Sequence, residues 1–297
     1  MSSLNNINGL AAKLNNYCVI EINGVDSQTF LQGQLTCDVV NMSANSSTLA
    51  AHCDPKGKVI SLFRLIKFSA EQFWFVFDNS LLPLALQQLK KYAVFSKVTF
   101  VEKNLHIATF SEDCLPNDLI TDAEVTTTAA DKILVRVNAE NDFYLLFSES
   151  EQAQSEQAEQ WKWLNIVNGE PLFTAVAQGE FIPQALNLQH LEQAISFTKG
   201  CYIGQETIAR AKYRGANKLA MFTLVADEIE AVEIGSSVQM ALENGWRKTG
   251  TIINFAHYQQ QTWLQVVLNK DVPPETPFRL AEDGAVYQLL ENRFEEQ

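Results

Sequence analysis

Lys199-Gly-Cys-Tyr-Ile-Gly-Gln-Glu206 is the stretch on which this sequence turns. Its thiol, Cys201, sits between Gly200 and Tyr202 and follows an ammonium, Lys199, by two positions. Gly204 then leads into Gln205 and into a run from Glu206 to Ala211 that can continue as a helix until Arg214-Gly215 stops it. A neighbouring cation and the free N–H groups of a helix start both favour thiolate, the reactive form of cysteine. A cysteine without such a setting packs as a small apolar side chain. Both readings stand for Cys201, whereas Cys18, Cys37, Cys53 and Cys114 lack comparable neighbours and are expected in the core. Gln205 and Glu206 at the helix start can serve an anion or a ring amide, or simply cap the helix.

Charge sets this segment apart. Residues 197 to 220 hold Lys199, Arg210, Lys212, Arg214 and Lys218 against Glu206 alone, within a chain of net charge −13. A second basic island is Lys56, Lys58, Arg64 and Lys67, opposed by Asp54. The acidic remainder works against holding a polyanion through the whole-molecule field. The islands read either as solvated faces or as places where an anion docks.

The rest of the chain divides by texture. Tyr17 to Ile22 reads as a strand and Ser27 to Leu35 as a short helix. Val59 to Phe68 and Gln72 to Phe77 read as a hairpin, and Ser80 to Tyr92, with leucines at 81, 82, 84, 86 and 89, as a helix. Strands are expected at 98–101, 105–110, 133–137 and 143–147, interrupted by an acidic surface loop at 111–131. Ser148 to Gln160 is expected as an exposed helix leading into Trp161. After Gly215, short β-type runs alternate with turn formers such as Glu243-Asn244-Gly245 and Glu282-Asp283-Gly284, the texture of a small antiparallel barrel.

Several classes fall away. At 297 residues and 46% apolar the chain can bury a large core spread over two or three modules. It has no long apolar run, and Met1 to Asn16 lacks the layout of an export signal, so a soluble, cytoplasmic protein with no membrane partner is expected. Five scattered cysteines without a CxxC pair fit neither a disulfide framework nor a zinc ribbon. The four histidines stand far apart, so no metal site is expected. Phosphate-binding GxxxxGK[ST], GxSxG and HExxH motifs do not occur.

The octapeptide has company. Gly24-Val25-Asp26, the run Phe30 to Asp38 (FLQGQLTCD), the run Ala50 to Lys58 (AAHCDPKGK), Phe181-Ile182-Pro183-Gln184 and Ser196 to Gly215 occur in an order that resembles the folate-binding YgfZ family, relatives of the glycine-cleavage aminomethyltransferase. The resemblance runs from about Tyr17 into the C-terminal barrel. It implies an α+β fold of three modules in a ring around a folate-sized opening. These are an N-terminal lobe from residues 1–50 and 161–215, a ferredoxin-like lobe at 51–160, and a β-barrel at 216–297.

It also implies a ligand, tetrahydrofolate or a one-carbon derivative. The two aromatic positions that line it fall on Tyr17, where many relatives have Trp, and on Trp161. Tyr202, Gln205 and Glu206 are implied as further ligand-side residues, with Cys201 and Lys199 as the candidate catalytic pair. Where the aminomethyltransferases carry an Asp-Asp pair this chain has Ser61-Leu62, and neither side chain can position and polarise an amine. That transferase activity is therefore not expected. The implied role is a folate-dependent accessory one in tRNA modification, notably methylthiolation, and in upkeep of iron-sulfur enzymes. An iron-sulfur tRNA-modifying enzyme is the expected partner, and direct tRNA contact is a weaker option. Either Cys201 takes part in chemistry, in which case folate should shield it from alkylation, or the protein is a folate-sensing module without turnover.

Overall fold

The computed structural model describes residues 9–116, 119, 123–128, 132–137, 143–153 and 157–290. In chain order the elements are β1 (Ala11–Lys13), β2 (Tyr17–Asn23), α1 (Ser27–Gln34), β3 (Ser46–Cys53), β4 (Val59–Lys67), β5 (Gln72–Asp78), α2 (Leu82–Tyr92), β6 (Thr99–Lys103), β7 (His106–Ser111), β8 (Val125–Thr127), β9 (Ile133–Val137) and β10 (Phe143–Ser148). Then come α3 (Ala158–Asn168), α4 (Gln205–Tyr213), β11 (Leu219–Ala226), β12 (Val238–Leu242), β13 (Gly245–Thr249), β14 (Thr251–Tyr258), β15 (Gln261–Asn269), β16 (Phe278–Arg279) and β17 (Gln288–Leu289).

The central layer is an antiparallel sheet in the order β3-β4-β5-β2-β6. Successive side chains of a strand point to opposite faces, and this sheet is apolar on both. Cys18, Ile20 and Ile22 of β2 and Phe73, Phe75 and Phe77 of β5 enter one core. Val19 of β2 and Trp74 and Val76 of β5 enter another, with Tyr17 packed against it. All nine residues of β4 are buried, as an interior strand covered on both sides requires. Phe63 stacks on Phe75 at 3.9 Å between ring centres, within the range that aromatic pairs favour.

On the first face lie α1, α2, the irregular segment that carries Phe173, Phe181, Leu186 and Tyr202, and Ile208 of α4. On the second lie α3 and a sheet in the order β1-β7-β10-β9-β8. The barrel follows as two sheets, β14-β15-β11-β17 and β13-β12-β16, around a core of its own. Helix α3 joins the parts: Trp163 stacks on Tyr258 at 4.4 Å and meets Trp263 edge-on at 5.9 Å.

Three expectations change. The lobe boundary at residue 50 cuts through β3, and β4, β5 and β6 bond into one sheet with β2 rather than into a separate lobe. The loop expected at 111–131 contributes β8, which pairs with β9, while 117, 118, 120–122 and 129–131 lie outside the described residues. Ser148 to Gln160 is not one helix: 151–153 are irregular and α3 starts at Ala158.

Candidate functional site

The octapeptide forms a loop that is tied to α1 and to the turn after β3. The backbone N–H of Ser196 donates to Thr36 O and that of Ile203 to Gly33 O. Gly204 adopts φ +83° at the start of α4 and lies directly against the turn, where a Cβ would come 2.7 Å from Asp54 O and 2.8 Å from Gly57 Cα. Gly57, at φ +78°, is just as close to Thr207. Both positions need glycine on two counts, a left-handed backbone and a lack of space. Three of the quoted stretches, Phe30 to Asp38, Ala50 to Lys58 and Ser196 to Gly215, thus meet in one place.

Lys199 is the post that holds them. Its Nζ donates to the carbonyls of Gln32 (2.7 Å), Leu35 (2.6 Å) and Cys37 (2.7 Å). Gln32 belongs to the last turn of α1, whose carbonyls have no partner within the helix, and a cation at this end also suits the helix dipole. All three ammonium hydrogens are used, and the group lies 4.6 Å from the centre of the Tyr202 ring. Burial pulls its pKa down to about 8. Lys199, expected as a catalytic candidate beside Cys201, has its ammonium bonded to three backbone carbonyls and its side chain buried.

Its neighbours divide. Tyr202 packs into the core on the first face of the sheet, with its phenol pushed up by burial. Cys201 is exposed. Gln205 is half-buried and Glu206 is exposed, pairing with Arg210 one helical turn on. The other cysteines behave as small apolar residues: Cys18, Cys37 and Cys53 are buried, and burial pushes the thiols of Cys18 and Cys37 up to about 12.

The second basic island is largely internal as well. Lys67 Nζ donates to Gln28 Oε1 and to the carbonyls of Val39 and Met42 at 2.8–2.9 Å. Arg64 is buried and bridges Glu192 at 2.8 Å, which holds the Glu192 carboxyl below its ordinary range in spite of burial. Ser61 and Leu62 are interior residues of β4. The Ser61 hydroxyl has no partner among the described residues, and neither has either ring nitrogen of His52, its cross-strand neighbour on β3.

Tyr17 and Trp161 meet on the second face of the sheet. They line one narrow cleft, with a cavity volume of about 30 Å³, together with Asp78, Lys162, Thr174 and Asn254. Burial pushes the Tyr17 phenol up and nearby Asp78 and Glu170 push the same way, while the Trp161 indole opposes them. The Thr174 hydroxyl on the same cleft is buried without a hydrogen-bond partner among the described residues. Tyr17 also borders a larger cleft of about 230 Å³ lined by Lys13, Asn15, Asn104, His106 and Glu151, and neither cleft reaches Cys201. Two flat rings beside an open hydroxyl form a surface on which a heterocycle with polar edges can lie.

The aromatic pair expected to line the ligand is therefore together, and the octapeptide expected beside it is not. Asp78 was missed although it faces Tyr17 across β2 and β5. Placing the hairpin strand Gln72 to Phe77 against Tyr17 to Ile22 would have found it. Thr174 and Asn254 come from an irregular segment and a barrel strand and carry no sequence signal.

The YgfZ beta-barrel domain model matches residues 217–283. An uncharacterized protein of Haemophilus influenzae is 46% identical and aligns over 90% of this chain and 91% of its own length. The tRNA-modifying protein YgfZ of Serratia proteamaculans is 37% identical over 91% of this chain and 88% of its own. Among solved structures, the glycine cleavage system aminomethyltransferase T from Bartonella henselae superposes with a TM-score of 0.73 over 97% of this chain and 87% of that one, at 11% identity. That likeness concerns the fold.

Proposed function

Because the chain belongs to the YgfZ family, we propose that it binds a reduced folate in the Tyr17–Trp161 cleft and acts as an accessory factor in tRNA modification, methylthiolation above all, and in upkeep of the iron-sulfur enzymes that perform it. The observation that carries the ligand half is the pairing of Tyr17 and Trp161 on one cleft with the unpartnered Thr174 hydroxyl. The rings supply stacking surface for a pteridine, and the Thr174 hydroxyl supplies a polar contact for its edge. The enclosed cavity, about 30 Å³, is far smaller than a small-molecule site, so a pteridine enters only if the cleft opens around the two rings. When bound, the folate supplies one-carbon or redox chemistry. This chain's own part is to hold the ring and keep it from water. Ser61 and Leu62 offer no carboxylate to an amine, which argues against aminomethyl transfer.

One observation favours the sensing form of this reading. Tyr202, next to Cys201, is packed on the opposite face of the sheet from Trp161, so the exposed thiol serves a partner rather than the bound ring. The test is titration with tetrahydrofolate. Protein with the ligand at a hundredfold excess over its Kd should gain about 2.7 kcal/mol of stability. Tryptophan fluorescence should change as the ligand enters, and Trp161→Ala should lose both signals. No shift in fluorescence or Tm for the parent would end the assignment.

A further inference from the structure

The two basic islands are far apart in sequence and adjacent in space. Packing of Gly57 against Gly204 and Thr207 sets the turn from Asp54 to Lys58 beside the first turn of α4. Folding also sorts their charges. Lys199, Lys67 and Arg64 go inside. Lys56, Arg210, Lys212, Arg214 and Lys218 stay exposed. Lys58 is half-buried and donates to Glu180 O. Of the nearby carboxylates, Asp54 accepts the turn's own N–H groups and Glu206 takes Arg210. Lys56, Lys212, Arg214 and Lys218 make no ion pair among the described residues.

An aromatic ring stands among them. Tyr213 is 68% exposed, and Lys212 Nζ lies 5.5 Å from its centre and 3.7 Å from that of Phe197. Exposed cations free of ion pairs on an acidic protein, with an open flat ring among them in sequence, match a chain of phosphates that carries stackable bases. An acidic peptide would use the cations and leave the ring idle.

We propose that this face, built from the Asp54–Lys58 turn, α4 and the segment through Lys218, is an RNA-contact surface that grips phosphates with Lys56, Lys212, Arg214 and Lys218 and offers Tyr213 to a base. It rests on the tRNA-modification reading above. The exposed Cys201, in the loop that leads into α4, then stands on the RNA side of the molecule, away from the folate cleft.

The experiment is fluorescence anisotropy with a labelled, unmodified tRNA transcript, using the parent and a variant carrying Lys56→Gln, Lys212→Gln, Arg214→Gln and Lys218→Gln. Four phosphate contacts predict that parent affinity falls roughly 50- to 150-fold between 50 and 200 mM salt. The variant should keep the parent's Tm, bind far more weakly at 50 mM, and lose most of the salt dependence. Tyr213→Ala should weaken binding while leaving the salt slope unchanged. Equal affinity and slope for parent and variant would overturn the proposal, as would a parent that does not bind tRNA. So would a poly-glutamate peptide that binds the parent as tightly as tRNA does and is lost in the variant, which would assign the face to a protein partner. The broader reading is scored separately, by whether the parent restores methylthiolated nucleosides in cells lacking the native protein. Restoration without tRNA binding removes the surface and keeps the function.

Discussion

The octapeptide loop and the Tyr17–Trp161 cleft lie on opposite faces of one sheet and treat their polar groups in opposite ways. In the loop, the cation is fully used: the Lys199 ammonium has three carbonyls, and the backbone of Ser196 and Ile203 is bonded to the segment from Gly33 to Thr36. In the cleft, the Thr174 hydroxyl has no protein partner. A buried polar group left unpaired costs free energy that a ligand can recover, whereas a satisfied one has nothing left to offer. The motif that looks most chemical in sequence is thus mainly a fastening, with its thiol left outside. The cleft, built from residues that look like ordinary core, is where a ligand has something to gain.

The sharpest way to break this contrast is to remove the fastening. Lys199→Met strips three buried carbonyls of their donor, and urea unfolding should show a loss of about 3 to 5 kcal/mol. If Lys199 were a chemical group instead, the variant would keep the parent's stability and lose only function.

A second test concerns His52, on the loop's side of the sheet, whose ring is buried without a partner and whose pKa burial pulls down to about 4. The folded pKa lies below the unfolded value of about 6.5, so the unfolded chain binds more protons between pH 4 and 6.5. Stability from this group is present above pH 6.5 and is lost as pH falls toward 4. Between pH 7 and pH 5 the parent should lose about 2 kcal/mol that His52→Leu does not lose. Parallel pH curves for the two would mean that the imidazole is solvated or partnered in the folded state.

The smallest effect is expected at the thiol. Cys201→Ser should unfold within about 0.5 kcal/mol of the parent, because an exposed side chain contributes little to packing. A larger loss would place the thiol in a packed environment and remove the distinction between fastening and exposed group.

The sequence was informative where periodicity and turn chemistry decide structure. The hairpin of β4 and β5, the helices α1 and α2, strands β9 and β10, and the barrel hairpin at Glu243-Asn244-Gly245 follow from alternation and glycine placement. β3 escaped notice because Ser46-Ser47-Thr48 and His52 break its apolar run, and its strand character comes from pairing along β4. The boundary at residue 50 failed for the same reason, since sheet membership is a long-range property. At the site, Tyr17 and Trp161 were legible through the family resemblance. The burial of Lys199 was not, because a lysine beside a cysteine and glycines carries no mark of whether its ammonium faces water or three carbonyls. The convergence of the two basic islands was hidden too, being a consequence of the contact between Gly57 and Gly204.

The separation of the exposed thiol from the proposed ligand cleft is tested most directly by the rate of Cys201 alkylation with and without saturating tetrahydrofolate. The Cys201→Ser protein supplies the background from the other thiols, and a Tm shift confirms that ligand is bound. Equal rates with and without folate are predicted, because the clefts at Tyr17 stop short of Cys201. Strong protection by bound folate would put the thiol in the ligand site and contradict the separation.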